Sequence, residues 1–244
     1  RMGSARFNIN EDLVIRGFSL PAQDLAFGGM FGITPYFRVP VEAAERVEVL
    51  KGPSAMLYGM PPSGSVGGTI NLVPKRATSE PLTRVTAQYM SDANLGAHVD
   101  VGRRFGPAAQ FGVRFNGVYR NGDANIEHMR VKEQLGSLGL DFIEGRFRAS
   151  ADLMHQEQDI RGVVRQFTLA PTVTALPAAP SGRSNYPGVG YSIMRDTSWA
   201  FRGEFDLTDD ATLYAGVGGR TGKMNAVAGN PVLSSNAGDY AYSP

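Results

Sequence analysis

The ten residues FGVRFNGVYR, positions 111–120, read as a strand with two unlike faces. Phe111, Val113, Phe115, Gly117 and Tyr119 share one parity, while Gln110, Arg114, Asn116 and Arg120 share the other. Successive side chains of a strand point to opposite sides, so one face is greasy and one polar. The alternation recurs on either side of this stretch. Val85, Ala87 and Tyr89 oppose Arg84, Thr86 and Gln88; Ala97, Val99, Val101 and Phe105 oppose His98, Asp100 and Arg104, with Arg103 interrupting the apolar side. Further along come Leu138, Leu140 and Phe142; Phe147, Ala149, Ala151 and Leu153; Trp199, Phe201, Phe205 and Leu207; and Ala211, Leu213, Ala215 and Val217. Seven strands are therefore expected after residue 80, with an eighth beginning near Asp239.

Alternation alone leaves open which face is wet. A soluble sandwich buries the apolar parity, whereas a membrane barrel turns it toward lipid. Connection lengths favour the barrel. Tight links at 106–109, 144–145 and 209–210 alternate with longer ones at 91–96, 121–134, 157–196 and 221–236, as short turns at one end and long loops at the other would require. Ring placement agrees, because Phe105, Phe111, Phe142, Phe147 and Phe205 cluster at the tight turns and Tyr89, Tyr119 and Trp199 at the opposite strand ends.

Composition narrows the function classes. The chain has 244 residues, 24 Lys plus Arg against 23 Asp plus Glu, a formal charge of +1 and no cysteine. A balanced charge gives no field to draw in nucleic acid. Without cysteine there are no disulfides, thiolate metal sites or Cys nucleophiles. With 30 glycines and 15 prolines the sequence suits a turn-rich β protein. It holds no apolar run of about 18 residues, which excludes a membrane-spanning helix but not a barrel. His98, His128 and His155 are dispersed, so no metal site is expected, and no catalytic constellation is evident.

Residues 1–80 have another texture. Short apolar runs at 13–15 and 47–50 read as strands between Gly- and Pro-marked turns, and residues 40–46 as one short helix with Pro40 near its first turn. Gly52 and Pro53 end a strand, Gly59, Gly64, Gly67 and Gly68 allow close backbone approach, and residues 69–73 resume an extended run. An eight-stranded barrel is filled by its own side chains and has no room for such a unit; enclosing it takes a barrel of about 22 strands, so the chain reads as a piece of a larger protein.

The string ERVEVLKGPSAMLYGMPPSGSVGGTINLVPKR, residues 45–76, resembles the end of the plug domain of TonB-dependent outer-membrane receptors, especially those importing ferric siderophores. VIRGF, residues 14–18, is similar to an earlier signature of the same plug. The resemblance implies a mainly all-β fold: an α+β plug over residues 1–80 and the first strands of a transmembrane antiparallel β-barrel over 81–244. It carries Gly17, Gly52, Pro53, Tyr58, Gly59, Gly67, Gly68 and Asn71 as plug-motif positions. It further implies that Arg16 and Lys51 pair with barrel carboxylates, since a buried cation without a partner would cost several kcal/mol. Outward plug loops would meet the iron chelate, with Gln23, Tyr36, Phe37 and Arg38 as candidates and the loop holding Arg183, Tyr186 and Tyr191 above them. Iron would arrive already chelated, so no protein ligand or cofactor is required. The implied partners are a ferric siderophore, outer-membrane lipid of a Gram-negative cell, and the TonB energy-transducing protein, whose binding box would precede Arg1. A passive pore or adhesin, an importer of cobalamin or a glycan, and a soluble sandwich binding carbohydrate stay open from the residues alone.

Overall fold

The computed structural model describes residues 12–52, 56, 59–90, 93–179, 181–185 and 190–243. Strands β1 (Asp12–Ile15) and β2 (Phe18–Pro21) form an antiparallel hairpin. Its turn puts Arg16 and Gly17 at positive φ, 54° and 88°, a conformation open to glycine and strained for arginine. A 3-10 turn at Ala22–Asp24 leads to β3 (Ala26–Phe27), and β4 (Ala44–Lys51) and β5 (Gly68–Pro74) complete the N-terminal unit. β5 lies between β3, parallel to it, and β4, antiparallel.

The expected helix over residues 40–46 is only a 3-10 turn at Val41–Ala43. From Ala44 the backbone is already extended and paired with β5, because Val47 and Val49 favour a strand and a ready partner lies alongside. Gly67 and Gly68 sit where the chain crosses from β4 to β5. A Cβ at Gly67 would overlap the carbonyl oxygen of Ile15, and one at Gly68 that of Leu50, so the glycines let three segments close over one another.

The remainder is an antiparallel meander. β6 (Leu82–Met90), β7 (Asn94–Phe105), β8 (Phe111–Asp123), β9 (Arg130–Glu144) and β10 (Phe147–Arg161) each pair with the next. After the two-residue β11 (Thr168–Leu169), β12 (Gly190–Asp206) joins β10, and β13 (Thr212–Ala228) joins β12, which makes a seven-stranded sheet. The expected eighth strand departs from this. β15 (Tyr240–Ser243) pairs with β14 (Asn230–Leu233), itself beside β11, in a separate three-stranded sheet among the long loops.

Strands also run further than the alternation indicated. The links expected at 91–96, 121–134 and 157–196 shrink to 91–93, 124–129 and 162–189, and β13 continues to Ala228. The first is thus a tight link at the end where the other connections are longer. At that end strict alternation gives way to mixed faces, so backbone pairing persists after the hydrophobic period is lost.

Sidedness is unambiguous. Val85 is 70% exposed and Leu213 61%, whereas Asp100 and Asn116 on the opposite parity are each 1% exposed. A soluble sandwich would show the reverse. Rows of directly paired residues on the outer face, such as Val217, Phe201, Ala151, Leu140 and Val113, form an apolar band. From Leu213 to Thr221 on β13 this band is about 20 Å high, from the usual rise per residue and strand tilt of a membrane barrel. The inner face packs on the N-terminal unit. Leu20, Leu25, Phe27, Ile33 and Leu72 share a core with Val118, Leu135, Met154 and Ala200 of the wall.

Candidate ligand-binding cleft and plug anchors

Besides the shared core, two zones of polar contact join the N-terminal unit to the wall. The first lies on the half nearer the tight turns and is built on residues 75–77, directly after β5. Lys75 Nζ donates to Asp100 Oδ2 at 3.0 Å and to Asn116 Oδ1 at 2.9 Å. Arg114 grips the same carboxylate from the wall, Nε to Oδ1 at 2.5 Å and Nη2 to Oδ2 at 2.9 Å, and gives Nη1 to the carbonyl of Arg76. Arg76 forms a two-pronged pair with Asp152 at 2.5 and 2.6 Å. Arg104 joins Asp141 at 2.6 Å and donates to the Ala77 carbonyl. Bidentate, largely dehydrated pairs of this kind are the strong ones.

The second zone faces the loop end. Here residues 38–42 and the inner wall enclose a cleft of about 830 Å³, lined among others by Arg38, Glu42, Gln88, Arg120, Glu133 and Gln158. Arg120 bridges the two sides. It binds Glu42 of the N-terminal unit and, at 3.3 Å, Glu133 of β9, while its Nε donates to Gln88. Glu133 also accepts from Gln158 at 2.6 Å and lies 3.9 Å from Arg38. Gln156 reaches the carbonyl of Arg38 at 2.9 Å and Asp196 at 3.3 Å. At the base of the 162–189 loop Val164 lines the cleft and Val163 packs with Met129, Val131 and Ile160.

Of the four expected ligand contacts, Arg38 lines this cleft, and Tyr36 and Phe37 precede it in the chain. Tyr36 and Phe37 stack edge to face with centroids 4.6 Å apart, and the Arg220 guanidinium sits 5.3 Å from the Tyr36 ring. Tyr36 is exposed, Phe37 half-buried and Arg38 buried. Gln23 belongs to another contact, donating to Ser63 Oγ at 2.9 Å beside the buried Asp24, which holds the Ser63 and Ser65 backbone N–H groups. Arg16 and Lys51 are exposed and form no ion pair among the described residues. Asn71 ties the plug together internally, accepting from Gly29 N and donating to Glu48, each at 2.9 Å. Gly17, Gly52, Gly59, Gly67 and Gly68 are in view, and Gly17, Gly52, Gly59 and Gly68 have positive φ. Pro53, Tyr58 and Tyr186 lie outside the described residues. Arg183 is exposed in the long loop, and Tyr191 faces outward on β12, its hydroxyl donating to Asn225.

The wall-binding cations found in the fold, Lys75 and Arg76, close the very string that carried the resemblance, yet neither stood out as a contact. Their signal was on the other side: Asp100 and Asp152 sit at inward parity, where a carboxylate needs a partner.

Residues 2–69 match the TonB-dependent Receptor Plug Domain family. The ferrichrome receptor FcuA of Yersinia enterocolitica is 40% identical over 238 residues, 97% of this chain and 31% of that protein. The crystal structure of BauA, the ferric preacinetobactin receptor of Acinetobacter baumannii, superposes with a TM-score of 0.95 at 40% identity, over 99% of this chain and 36% of that one. PiuA, a siderophore receptor of Acinetobacter baumannii, shares the fold at a TM-score of 0.72 and 20% identity, over 94% of this chain and 33% of that one. The chain belongs to the TonB-dependent outer-membrane receptors, and comprises plug and barrel-wall regions. It spans about a third of the length of the relatives it matches.

Proposed function

We propose that the protein this chain belongs to imports a ferric siderophore across the outer membrane of a Gram-negative bacterium, powered by the TonB energy-transducing protein. The observation that carries this reading is the cleft between residues 38–42 and the upper inner wall, spanned by Arg120, which binds both plug and barrel. A chelate entering from the loop side would meet Tyr36, Phe37 and Arg38 and disturb the contacts that hold residues 38–42. Names of relatives on both sides of the comparison, a ferrichrome receptor and a ferric preacinetobactin receptor, support an iron chelate as cargo. Gln23 would contribute after release from Ser63. Arg16 and Lys51, both exposed, would meet carboxylates of wall strands beyond the seven described.

The test is growth. A strain lacking the receptor and supplied with the full-length gene should grow on one member of a panel of purified ferric chelates under iron limitation, and Tyr36→Ala should weaken binding of that chelate about tenfold, the usual worth of one aromatic contact. Growth on none of them, with uptake of cobalamin or a glycan instead, would redirect the assignment of cargo.

A further inference from the structure

Tyr36, Phe37 and Arg38 lie in a stretch, residues 35–40, that belongs to no strand or helix. Its start is fixed within the plug, where the buried Thr34 hydroxyl is shared between the carbonyls of Ala22 and Leu25. Beyond that point the wall takes over. Asp196 stands on β12 directly between Gln156 of β10 and Gly222 of β13, and Asp196 and Gln156 are 6% and 9% exposed. The Gln156 amide donates to the Arg38 carbonyl at 2.9 Å and to Asp196 Oδ2 at 3.3 Å. The Tyr36 backbone N–H is directed at the same carboxylate. Arg220, 3.7 Å from Asp196 Oδ1, lays its guanidinium over the Tyr36 ring. Both ends of the tripeptide thus lead to one carboxylate.

The wall also makes room for this arrangement. A Cβ at position 222 would lie 2.7 Å from Asp196 Oδ1 and 3.3 Å from Arg220 Nη1, so glycine leaves the space in which the two charges meet. A carboxylate taken out of water is costly unless partners replace its hydration. Here the Gln156 amide, the Tyr36 N–H and Arg220 supply them. Leaving any of these contacts unmade strands a buried polar group, so the set holds Tyr36 in one place.

We propose that Asp196 is a positioning residue for cargo recognition: with Gln156 and Arg220 it sets the edge-to-face arrangement of Tyr36 and Phe37 before the chelate arrives. Ordering this irregular segment is then no longer a cost of binding. Asp196 acts through Tyr36 and needs no contact with the chelate. The inference rests on the reading of Tyr36 as a chelate contact and adds the wall residues that hold it there.

The experiment is a double-mutant cycle in the full-length receptor, with ferrichrome as the probe and its affinity as the readout. Tyr36→Ala sets the scale at about tenfold weaker binding. Asp196→Asn, which discharges the side chain at constant size, should weaken binding about fivefold in the parent and less than about twofold in the Tyr36→Ala background. Gly222→Ala leaves every charge in place and crowds the pair; it should behave the same way, and it carries the cycle if Asp196→Asn fails to assemble. In cargo-free receptor, amide exchange of residues 36–38 should rise in both variants while residues 75–77 stay flat. Equal losses of affinity with and without Tyr36 would assign Asp196 to general stability and overturn the proposal, as would full affinity in both variants. A Tyr36→Ala receptor that binds as the parent does overturns the chelate contact and the proposal with it. If the parent ignores ferrichrome, the choice of cargo is at fault and the exchange measurement decides: faster exchange at 36–38 upholds the positioning role, and unchanged exchange overturns it.

Discussion

The plug is held to the wall differently at its two ends. Near the tight turns, Lys75 and Arg76 meet Asp100 and Asp152 in short, largely dehydrated contacts reinforced by Arg114. At the loop end a single arginine, Arg120, divides itself between Glu42 and Glu133 beside an open cleft, and Glu133 is in turn shared with Arg38 and Gln158. The dense zone acts as a fixed anchor. The shared one can redistribute its partners without leaving any charge stranded, which suits a contact that must answer to a ligand.

The sharpest way to break this contrast is Asp100→Ala. It leaves Lys75 and Arg114 buried without their carboxylate, and losing one member of a buried pair typically costs about 3–5 kcal/mol. Thermal unfolding of the full receptor should fall accordingly, and proteolysis should release the plug; an unchanged melting temperature would mean the anchor is no anchor. Glu42→Gln at the other end should be far milder, about 1 kcal/mol, because Arg120 retains Glu133. Hydrogen exchange should rise in residues 38–43 and stay flat in residues 75–77, and equal loosening of both zones would erase the distinction. The smallest effect sits inside the plug. Hydrogen bonds from Asn71 and Arg46 hold the Glu48 carboxyl below its ordinary value of 4.5. A lowered value means the contact stabilises the plug above the ordinary carboxylate range and is lost as pH falls through the folded value. Exchange protection of β4 and β5 should therefore decline on acidification below about pH 4.5, and Glu48→Gln should flatten that dependence slightly.

How much of this was legible in the sequence follows from where the hydrophobic period survives. Within the apolar band each strand advertises itself, because lipid outside and polar contacts inside enforce strict alternation; Phe111 to Tyr119 is the cleanest case. Above the band that pressure disappears. Segments such as Gln156–Glu157–Gln158–Asp159 on β10 and Lys223–Met224–Asn225 on β13 are strand by pairing alone, so they looked like loop. The eighth strand failed for a related reason: Tyr240 and Tyr242 alternate well, yet their partner is Asn230–Leu233 and not the wall. Tyr36, Phe37 and Arg38 came forward as candidates through the resemblance, whereas Glu42, Arg120 and Glu133 did not, because each alone is an ordinary charged residue. Only the fold makes them one bridge.

Each wall strand bonds only to its neighbours in chain order, so the meander needs no long-range closure to extend. Residues 75–77 precede β6, and their carboxylate partners come with β7 and β10. In chain order the cork gains a wall partner after two strands, with Asp100, and another three strands later, with Asp152. Both fastenings therefore fall within the first five wall strands, β6 to β10, and the cork is tied to the part of the wall that follows it directly.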